Sequence, residues 1–141
     1  MKDGPKDCLF CGIISGATPA EVVWRTPDSI AFLDHRPLFP GHILLIPTRH
    51  VVTLADLPAA EVGPLFQAAQ RLERAVETAL EAEGTFIAIN NIVSQSVLHL
   101  HVHIVPRRKG DGLKGFFWPR HKYESDEHLR GIAEKIRASL A

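Results

Sequence analysis

The stretch His99-Leu100-His101-Val102-His103-Ile104-Val105 alternates imidazole and aliphatic side chains without interruption. Because a β-strand directs successive side chains to opposite faces, the alternation predicts a strand that presents three imidazoles on one face, about 6.7 Å apart. The aliphatic residues between them are then directed into the core. A single His often does no more than satisfy a neighbour, but three in strict alternation indicate a face with a chemical role.

Two kinds of chemistry fit such a face. His99 and His101 could be metal ligands, because an H-x-H pair on a strand can direct two nitrogens at one ion. Alternatively, one imidazole could be a nucleophile toward phosphorus while its neighbours bind the phosphoryl oxygens. An unperturbed pKa of about 6.5 leaves imidazole mostly neutral near pH 7, as a nucleophile requires. The residues of the stretch leave both interpretations open.

The composition is that of an ordinary globular protein. The 141 residues carry 16 Lys and Arg against 16 Asp and Glu, and 45% of them are hydrophobic. This predicts a single domain over residues 1–141, with no overall basic excess that would indicate nucleic acid. No apolar run approaches the roughly 18 residues of a membrane span. The N-terminus also lacks an apolar signal segment, so we expect a cytoplasmic protein with no membrane partner.

Local patterns predict an antiparallel sheet of about five strands. Pro27-Asp28 is a strong turn pair between two short apolar segments, which indicates a hairpin, and Pro47 is expected to end the third strand. A polar connection over 91–96 joins the last two strands. The predicted strands span residues 20–26, 29–34, 42–46, 85–90 and 97–105.

Two amphipathic helices accompany these strands. Apolar residues at helical spacing predict a central helix over 65–83 that stops at Gly84, because Gly63-Pro64 would break a helix begun at Pro58. A second helix follows Ser125, a plausible N-cap, with an apolar face of Leu129, Ile132, Ala133, Ile136 and Leu140. Strands and helices together predict an α+β fold.

The chain resembles the histidine triad (HIT) superfamily. The stretch from His99 matches its H-x-H-x-H-x-x signature, and further similar segments occur in the order that the family shows. These are Cys8 to Gly16, Ala31 to Asp34, Pro37, Pro40 to His42, Ile46 to His50, Asn90 and Gln95-Ser96. The resemblance extends over residues 8 to about 107, and it implies a HIT-like α+β fold, a homodimer and a purine nucleotide substrate.

The resemblance also implies catalytic roles. His101 corresponds to the nucleophile that forms a nucleotidyl-histidine intermediate at an α-phosphate, and His103 to the residue that contacts the phosphoryl oxygens. His42 corresponds to a fourth active-site His that supports binding and departure of the leaving group. Ser96 stands where the family touches the phosphate or the leaving group.

Substrate-binding residues follow in the same way. Asp34 corresponds to the position that holds the ribose hydroxyls, for which a carboxylate is a good bidentate acceptor, and the adjacent His35 is close enough to touch the nucleoside. Asn90 and Gln95 correspond to positions beside the phosphate. An apolar slot for the purine is implied at Leu9, Phe10, Ile13, Phe32 and Leu44.

Cys8 and Cys11 form a C-x-x-C pair in a chain with no other cysteine. A disulfide is disfavoured in a reducing cytoplasm, and a zinc site would need two further ligands, typically His. The resemblance supplies them at His50 and His99. It therefore implies a structural Zn²⁺ with four protein ligands, which leaves His101 for phosphorus, and no organic cofactor. The alternative is that Cys8 and Cys11 are free thiols.

The chain departs from the family pattern in two places. The connection 91–96 contains no glycine where relatives are glycine-rich. Segment 107–122 has a local net charge of +5, since Arg107, Arg108, Lys109, Lys114, Arg120 and Lys122 stand against Asp111 alone, and it is interleaved with Phe116, Phe117 and Trp118. It is either a solvated loop or a platform for a polyphosphate, a second nucleoside or a nucleic-acid end.

The expected function is a nucleotide hydrolase or nucleotidyltransferase that cleaves at the α-phosphate of phosphoramidates, adenylates or dinucleoside polyphosphates. One alternative is a nucleotide-binding or partner-binding module with vestigial catalysis. Another, motivated by segment 107–122, is the removal of adenylate from DNA ends, although nucleic acid is an unexpected partner here.

Overall fold

The computed structural model describes residues 6–113 and 120–140, which form two compact units, one up to Lys109 and one from Gly110 onward. The first unit holds the sheet and two α-helices. The second holds a helix at Asp126–Leu140. The Oγ of Ser125 accepts the backbone N–H of His128 at 3.0 Å, which confirms Ser125 as the N-cap of that helix.

The sheet has five strands, and every pair in it is antiparallel. The order across the sheet is β1-β2-β3-β5-β4. This confirms the predicted α+β fold. No helix within the described ranges is long and apolar enough to cross a membrane. The strands are β1 (Val22–Arg25), β2 (Ser29–Leu33), β3 (Ile43–Pro47), β4 (Gly84–Ala88) and β5 (Val102–Arg107).

Helices α1 (Leu9–Ser15) and α2 (Ala59–Leu80) pack on opposite faces of the sheet, and α3 is the helix at Asp126–Leu140. Neighbouring residues of β3 show the division, since Leu45 belongs to the apolar cluster under α2 and Leu44 to the cluster under α1. His103 is paired with Leu44 across the sheet. The histidine face is therefore the face that α1 covers.

The sequence reading missed helix α1 and a short 3₁₀ turn at Leu54–Asp56. The signal for α1 was present, because Phe10, Ile13 and Ile14 have the i, i+3, i+4 spacing of a helical face. Gly16 ends the helix in a left-handed conformation with φ 85°.

The central helix starts earlier than predicted. Helix α2 begins at Ala59 and continues through Pro64, so the expected break at Gly63-Pro64 was wrong. A proline in a helix interior costs about 3 kcal/mol through its missing N–H and its ring. Core packing offsets that cost here, because the apolar stripe already starts at Val62 and includes the buried Leu65.

The end of α2 also differs from the prediction. The helix stops after Leu80, where Glu81 adopts a left-handed conformation with φ 52°, and Gly84 is the first residue of β4 instead of a helix stop. The guanidinium of Arg108 donates to the carbonyls of Leu80 and Glu81. A cation at the carbonyl end of a helix explains why no glycine is needed there.

Strand β5 begins at Val102 and not at Val97, which corrects the predicted strand over 97–105. The pairing of β3 with β5 ends at Leu45 and Val102, so the residues just before Val102 lie outside that pairing. Their polar groups are bonded elsewhere: the N–H of Leu100 donates to the carbonyl of Val51 at 2.7 Å. Leu100, Val102 and Ile104 are nevertheless all in the core under α2, so the predicted alternation of faces holds.

Gly41 lies where the turn before β3 meets α2, and we predict that Gly41→Ala destabilises the protein by about 2–4 kcal/mol. Its φ is +98°, and an added Cβ would come within 2.2 Å of the Leu80 Cδ1. Urea unfolding measures the loss. Gly84→Ala, at the start of β4, is the matched control, because an added Cβ meets no residue other than its chain neighbours within 4 Å there. We expect the control to gain about 0.5–1 kcal/mol, and equal effects of the two substitutions would contradict the prediction.

Candidate active site and metal cluster

His101 lies just before β5 and is 3% exposed. Its Nδ1 is 2.7 Å from the carbonyl oxygen of His99. A carbonyl can only accept, so Nδ1 carries the hydrogen and the lone pair of the neutral ring is on Nε2. Burial lowers the pKa of His101 below its ordinary value. The ring is therefore a neutral imidazole with one free nucleophilic nitrogen.

A relay of two further histidines stands beside it. The backbone N–H of Leu38 donates to His42 Nδ1 at 3.1 Å, so His42 carries its hydrogen on Nε2. That Nε2 donates to His103 Nδ1 at 2.9 Å, which leaves the hydrogen of His103 on its own Nε2. The His101 and His103 ring centroids are 4.9 Å apart. A lone pair on His101 thus stands beside an N–H donor on His103.

The relay stays neutral because His42 is buried and His103 is half-buried. Burial lowers the pKa of His42, against the opposing pull of Asp34. Burial, reinforced by His101 and His42, lowers the pKa of His103 to about 4. The site therefore offers donors and a nucleophile at neutral pH without a net positive charge.

Asp34 follows β2 and connects this relay to a groove. Its Oδ2 is 3.7 Å from His42 Nδ1, and its Oδ1 accepts the backbone N–H of Arg36 at 2.9 Å. The carboxylate is 18% exposed, so it is open to a ligand from the groove side. The side chain of His35, with Nδ1 4.0 Å from Asp34 Oδ1, is 83% exposed.

The groove has a volume of about 700 Å³ and lies between α1, the segment that leads into β1 and the end of β2. This is within the roughly 300–1,000 Å³ of small-molecule sites. Five residues predicted to bind the nucleoside line it: Leu9, Ile13, Phe32, Asp34 and His35. Thr18 and Glu21 line it too and were not predicted. Phe10 and Leu44 are buried in the apolar cluster that includes Ile13 and Phe32.

The connection 91–96 adopts left-handed conformations without glycine, with φ 69° at Ile92 and 63° at Ser94. The amide of Gln95 holds this loop, because its Oε1 accepts the N–H of Ile92 at 2.8 Å and its Nε2 donates to the carbonyl of Val52 at 2.6 Å. Gln95 therefore braces the loop through two backbone groups, and its predicted contact with substrate stays a prediction. Ser96 is exposed and Asn90 is half-buried after β4.

A second cluster lies on the other side of His101. Cys8, Cys11, His50 and His99 each offer one ligand atom, and these four atoms lie within 4.8 Å of one another. The Nε2 of His99 is 2.9 Å from the carbonyl of Pro47, so it carries the hydrogen and Nδ1 is the nitrogen directed into the cluster. These four residues, which lie up to 91 positions apart in the sequence, therefore form one candidate metal site.

Four of the six distances between these ligand atoms match the edges of a tetrahedral zinc site. Zinc bound by two sulfurs at about 2.3 Å and two nitrogens at about 2.0–2.1 Å has ligand-to-ligand edges of roughly 3.3–3.8 Å. The two His Nδ1 atoms are 3.2 Å apart, and Cys Sγ to His Nδ1 distances are 3.3, 3.4 and 3.6 Å. Burial, together with the adjacent Cys8, raises the pKa of Cys11 to about 11. A cation is needed to displace that proton and to stabilise the thiolate.

The basic segment is only partly described. Arg108 caps α2, so its charge already has a structural use. Lys114 and the aromatic residues Phe116, Phe117 and Trp118 lie outside the described residues. Besides Thr18 and Glu21, sequence reasoning missed backbone groups at the site, to which no side-chain motif points. These are the N–H of Leu38 and the carbonyls of Pro47 and His99.

A five-stranded sheet that presents three neutral imidazoles beside a groove with a carboxylate defines a histidine-triad protein. The family model described as HIT domain matches residues 15–110. The chain belongs to the HIT family. An uncharacterised HIT-like protein of Mycobacterium tuberculosis (strain H37Rv) is 40% identical over 108 residues, covering 75% of each chain.

Several relatives carry names of enzymes. An asymmetrical bis(5'-nucleosyl)-tetraphosphatase of Schizosaccharomyces pombe is 38% identical over 109 residues, which cover 76% of this chain but 58% of the yeast protein. An adenosine 5'-monophosphoramidase of Candida albicans is 29% identical over 140 residues, covering 95% and 91% of the two chains.

Solved structures share the fold. A Streptococcus mutans protein superposes with a TM-score of 0.88 at 33% identity and covers 100% of this chain and 90% of its own. A Bacillus subtilis HIT-family member gives 0.87 at 34% identity, covering 96% and 98%. A zinc-bound histidine triad protein of Mycobacterium smegmatis gives 0.74 at 36% identity, covering 96% and 99%.

The buried relay predicts a loss of stability in mild acid. The pKa of His103 in the folded protein, about 4, is below the roughly 6.5 of an unfolded His, so the unfolded chain binds the proton first. The free energy of unfolding then falls as the pH drops from about 6.5 toward 4. His103→Asn keeps an acceptor for His42 and should reduce the fall between pH 7 and pH 5 by on the order of 1–2 kcal/mol. Urea midpoints at both pH values measure it, and an identical fall in the variant would contradict the prediction.

Proposed function

We propose that the chain is a nucleotide hydrolase or nucleotidyltransferase that acts at the α-phosphate of purine nucleoside compounds through a nucleotidyl intermediate on His101. The observation that carries the proposal is the free Nε2 lone pair of His101 beside the N–H donor of His103. The names of the yeast and Candida relatives support phosphoramidates and dinucleoside polyphosphates as substrates.

In the proposed reaction His101 Nε2 attacks the α-phosphorus, a P–N bond forms, and the bond from phosphorus to the leaving group breaks. Water or a second acceptor then displaces His101 and releases the nucleotide. The Nε2–H of His103 donates to a phosphoryl oxygen, where negative charge develops. His42 supports that donation, because it donates to His103 Nδ1 and so fixes the tautomer of His103. Ser96 and Asn90 are proposed contacts of the phosphate or the leaving group.

The groove supplies the place for the nucleoside. Leu9, Ile13 and Phe32 offer apolar surface for a purine, and the partly exposed Asp34 carboxylate accepts the two ribose hydroxyls. Asp34 is also 3.7 Å from His42, so a ribose bound there has its 5' phosphate near the histidine relay. His35 is proposed as a further contact at the rim of this groove.

We propose zinc as the ion of the four-residue cluster. Two thiolates and two imidazoles are a typical structural zinc set, and four protein ligands leave no position for an activated water. The zinc-bound Mycobacterium smegmatis relative supports this choice. The ion would hold the chain at Cys8 and Cys11 against His50 and His99, and the chemistry at phosphorus would remain with His101.

We also propose a homodimer in the cytoplasm. Strand β4 is at the edge of the sheet, and Ile87 on that strand is partly exposed. Such an edge is a ready surface for a second copy, because unpaired strand groups favour further pairing. Two cysteines used as zinc ligands suit a reducing compartment, in which disulfides are rare.

Replacing the nucleophile tests the proposed reaction. His101→Ala should lower turnover of adenosine phosphoramidate and of diadenosine tri- and tetraphosphate by about 10³-fold or more, because no other lone pair replaces Nε2. Binding of AMP should change only a few-fold. His128→Ala, a histidine in α3, is the matched control. Mass spectrometry of the quenched wild type should find a nucleotidyl adduct on His101, and full turnover by His101→Ala would exclude the mechanism.

Metal analysis tests the zinc proposal. Protein purified without chelator should contain about one Zn²⁺ per chain by mass spectrometry, and Cys11→Ser should lose most of it because one of four ligands is weakened. Ser15→Ala, an exposed substitution on the same helix, should keep the full content. A wild type free of zinc that also fails to take it up on addition would reject the proposal.

A further inference from the structure

Helix α1 belongs to both the metal cluster and the nucleoside groove. Cys8 and Cys11 contribute two of the four cluster ligands, while Leu9 and Ile13, which alternate with them in sequence, line the groove. The helix has seven residues. Isolated helices shorter than about 12 residues are marginal in water, so the position of α1 depends on what anchors it.

The metal cluster is one of these anchors. Cys8 is the N-cap of α1, and its Sγ accepts the backbone N–H of Cys11 at 3.3 Å. The other two ligands, His50 and His99, come from distant parts of the chain. An ion in the cluster therefore ties the first turn of α1 to the segment that leads into the catalytic strand.

The second anchor is apolar. Phe10 and Ile13 are buried in the cluster with Phe32 and Leu44. The Phe10 ring stands edge-on to His99, with centroids 5.9 Å apart, and to His101, at 5.1 Å. This packing should keep metal-free protein folded. It also means that a shift of α1 changes both the groove wall and the packing against His101.

We propose that a metal ion at the four-residue cluster and a nucleotide in the groove bind cooperatively, with α1 as the element that both position. The proposal rests on the proposed function, since it requires a nucleotide in the groove. Linkage makes the effect reciprocal, so zinc increases the affinity for AMP by the same factor by which AMP increases the affinity for zinc. Couplings of this kind are typically about 5–150-fold.

The coupling is measured from both sides. Calorimetry gives the Kd of AMP for zinc-loaded protein, for protein stripped with chelator and for Cys11→Ser, with far-UV circular dichroism to verify the fold of each. Competition with a chromogenic chelator gives the zinc affinity of the wild type with and without saturating AMP. A titration of zinc with AMP in the absence of protein corrects for the zinc that the nucleotide itself binds.

We expect AMP to bind at least about 5-fold more weakly to both metal-free forms, and zinc to bind more tightly by the same factor when AMP is present. Ser15→Ala should behave like the wild type in every measurement. Leu9→Ala, which shortens a groove wall and keeps all four ligands, should weaken AMP binding to the zinc-loaded protein.

The outcomes separate the two proposals. Equal AMP affinity in loaded and metal-free folded protein overturns the coupling and leaves the proposed function standing. If no form binds AMP, both proposals are overturned. If the stripped protein and Cys11→Ser unfold, the chelator competition on wild-type protein decides between the outcomes. A zinc affinity that AMP does not change overturns the coupling, and this measurement needs no metal-free sample.

Discussion

The site is organised by the hydrogen bonds of one fully buried residue, His99. Its Nε2–H donates to the carbonyl of Pro47, and its own carbonyl accepts the Nδ1–H of His101. A buried polar group without a partner costs about 1–3 kcal/mol, so both bonds are strongly favoured. The first bond directs Nδ1 of His99 toward Cys8, Cys11 and His50, and the second places the lone pair of His101 on Nε2. One residue thereby determines which nitrogen each of two neighbouring imidazoles presents.

Burial then determines the charge of the site. Desolvation is the leading cause that lowers the pKa of His42, His99, His101 and His103. Four protonated rings at these distances would repel one another, whereas neutral rings can donate and accept in sequence. Hydrogen bonds to backbone groups of Leu38, Pro47 and His99 offset the free energy cost of burying these rings.

The sheet makes the arrangement rigid by separating two cores. Helix α2 packs against one face through Leu65, Leu72 and Val76, and α1 covers the other. Alternate residues of β3 and β5 contribute to each side, so a slip of one residue in register would exchange the histidines with the aliphatic core. The large α2 core fixes that register. The smaller core under α1 leaves a groove next to Asp34, which lies close to His42.

The amino-acid sequence by itself determined the alternation from His99 to Val105, the α+β class, the amphipathic α2 and α3, and the family. These follow from local periodicity and from motifs, which a chain displays without its partners. It could not determine that Pro64 lies within α2, because the packing of Val62 and Leu65 outweighs the local cost. It also missed α1, whose seven residues are ordered by contacts with distant strands. Only the tertiary structure decided which nitrogen of each histidine is free, because the deciding partners are backbone groups of Leu38 and Pro47, brought close by the fold, and of His99, aligned by the approach to β5.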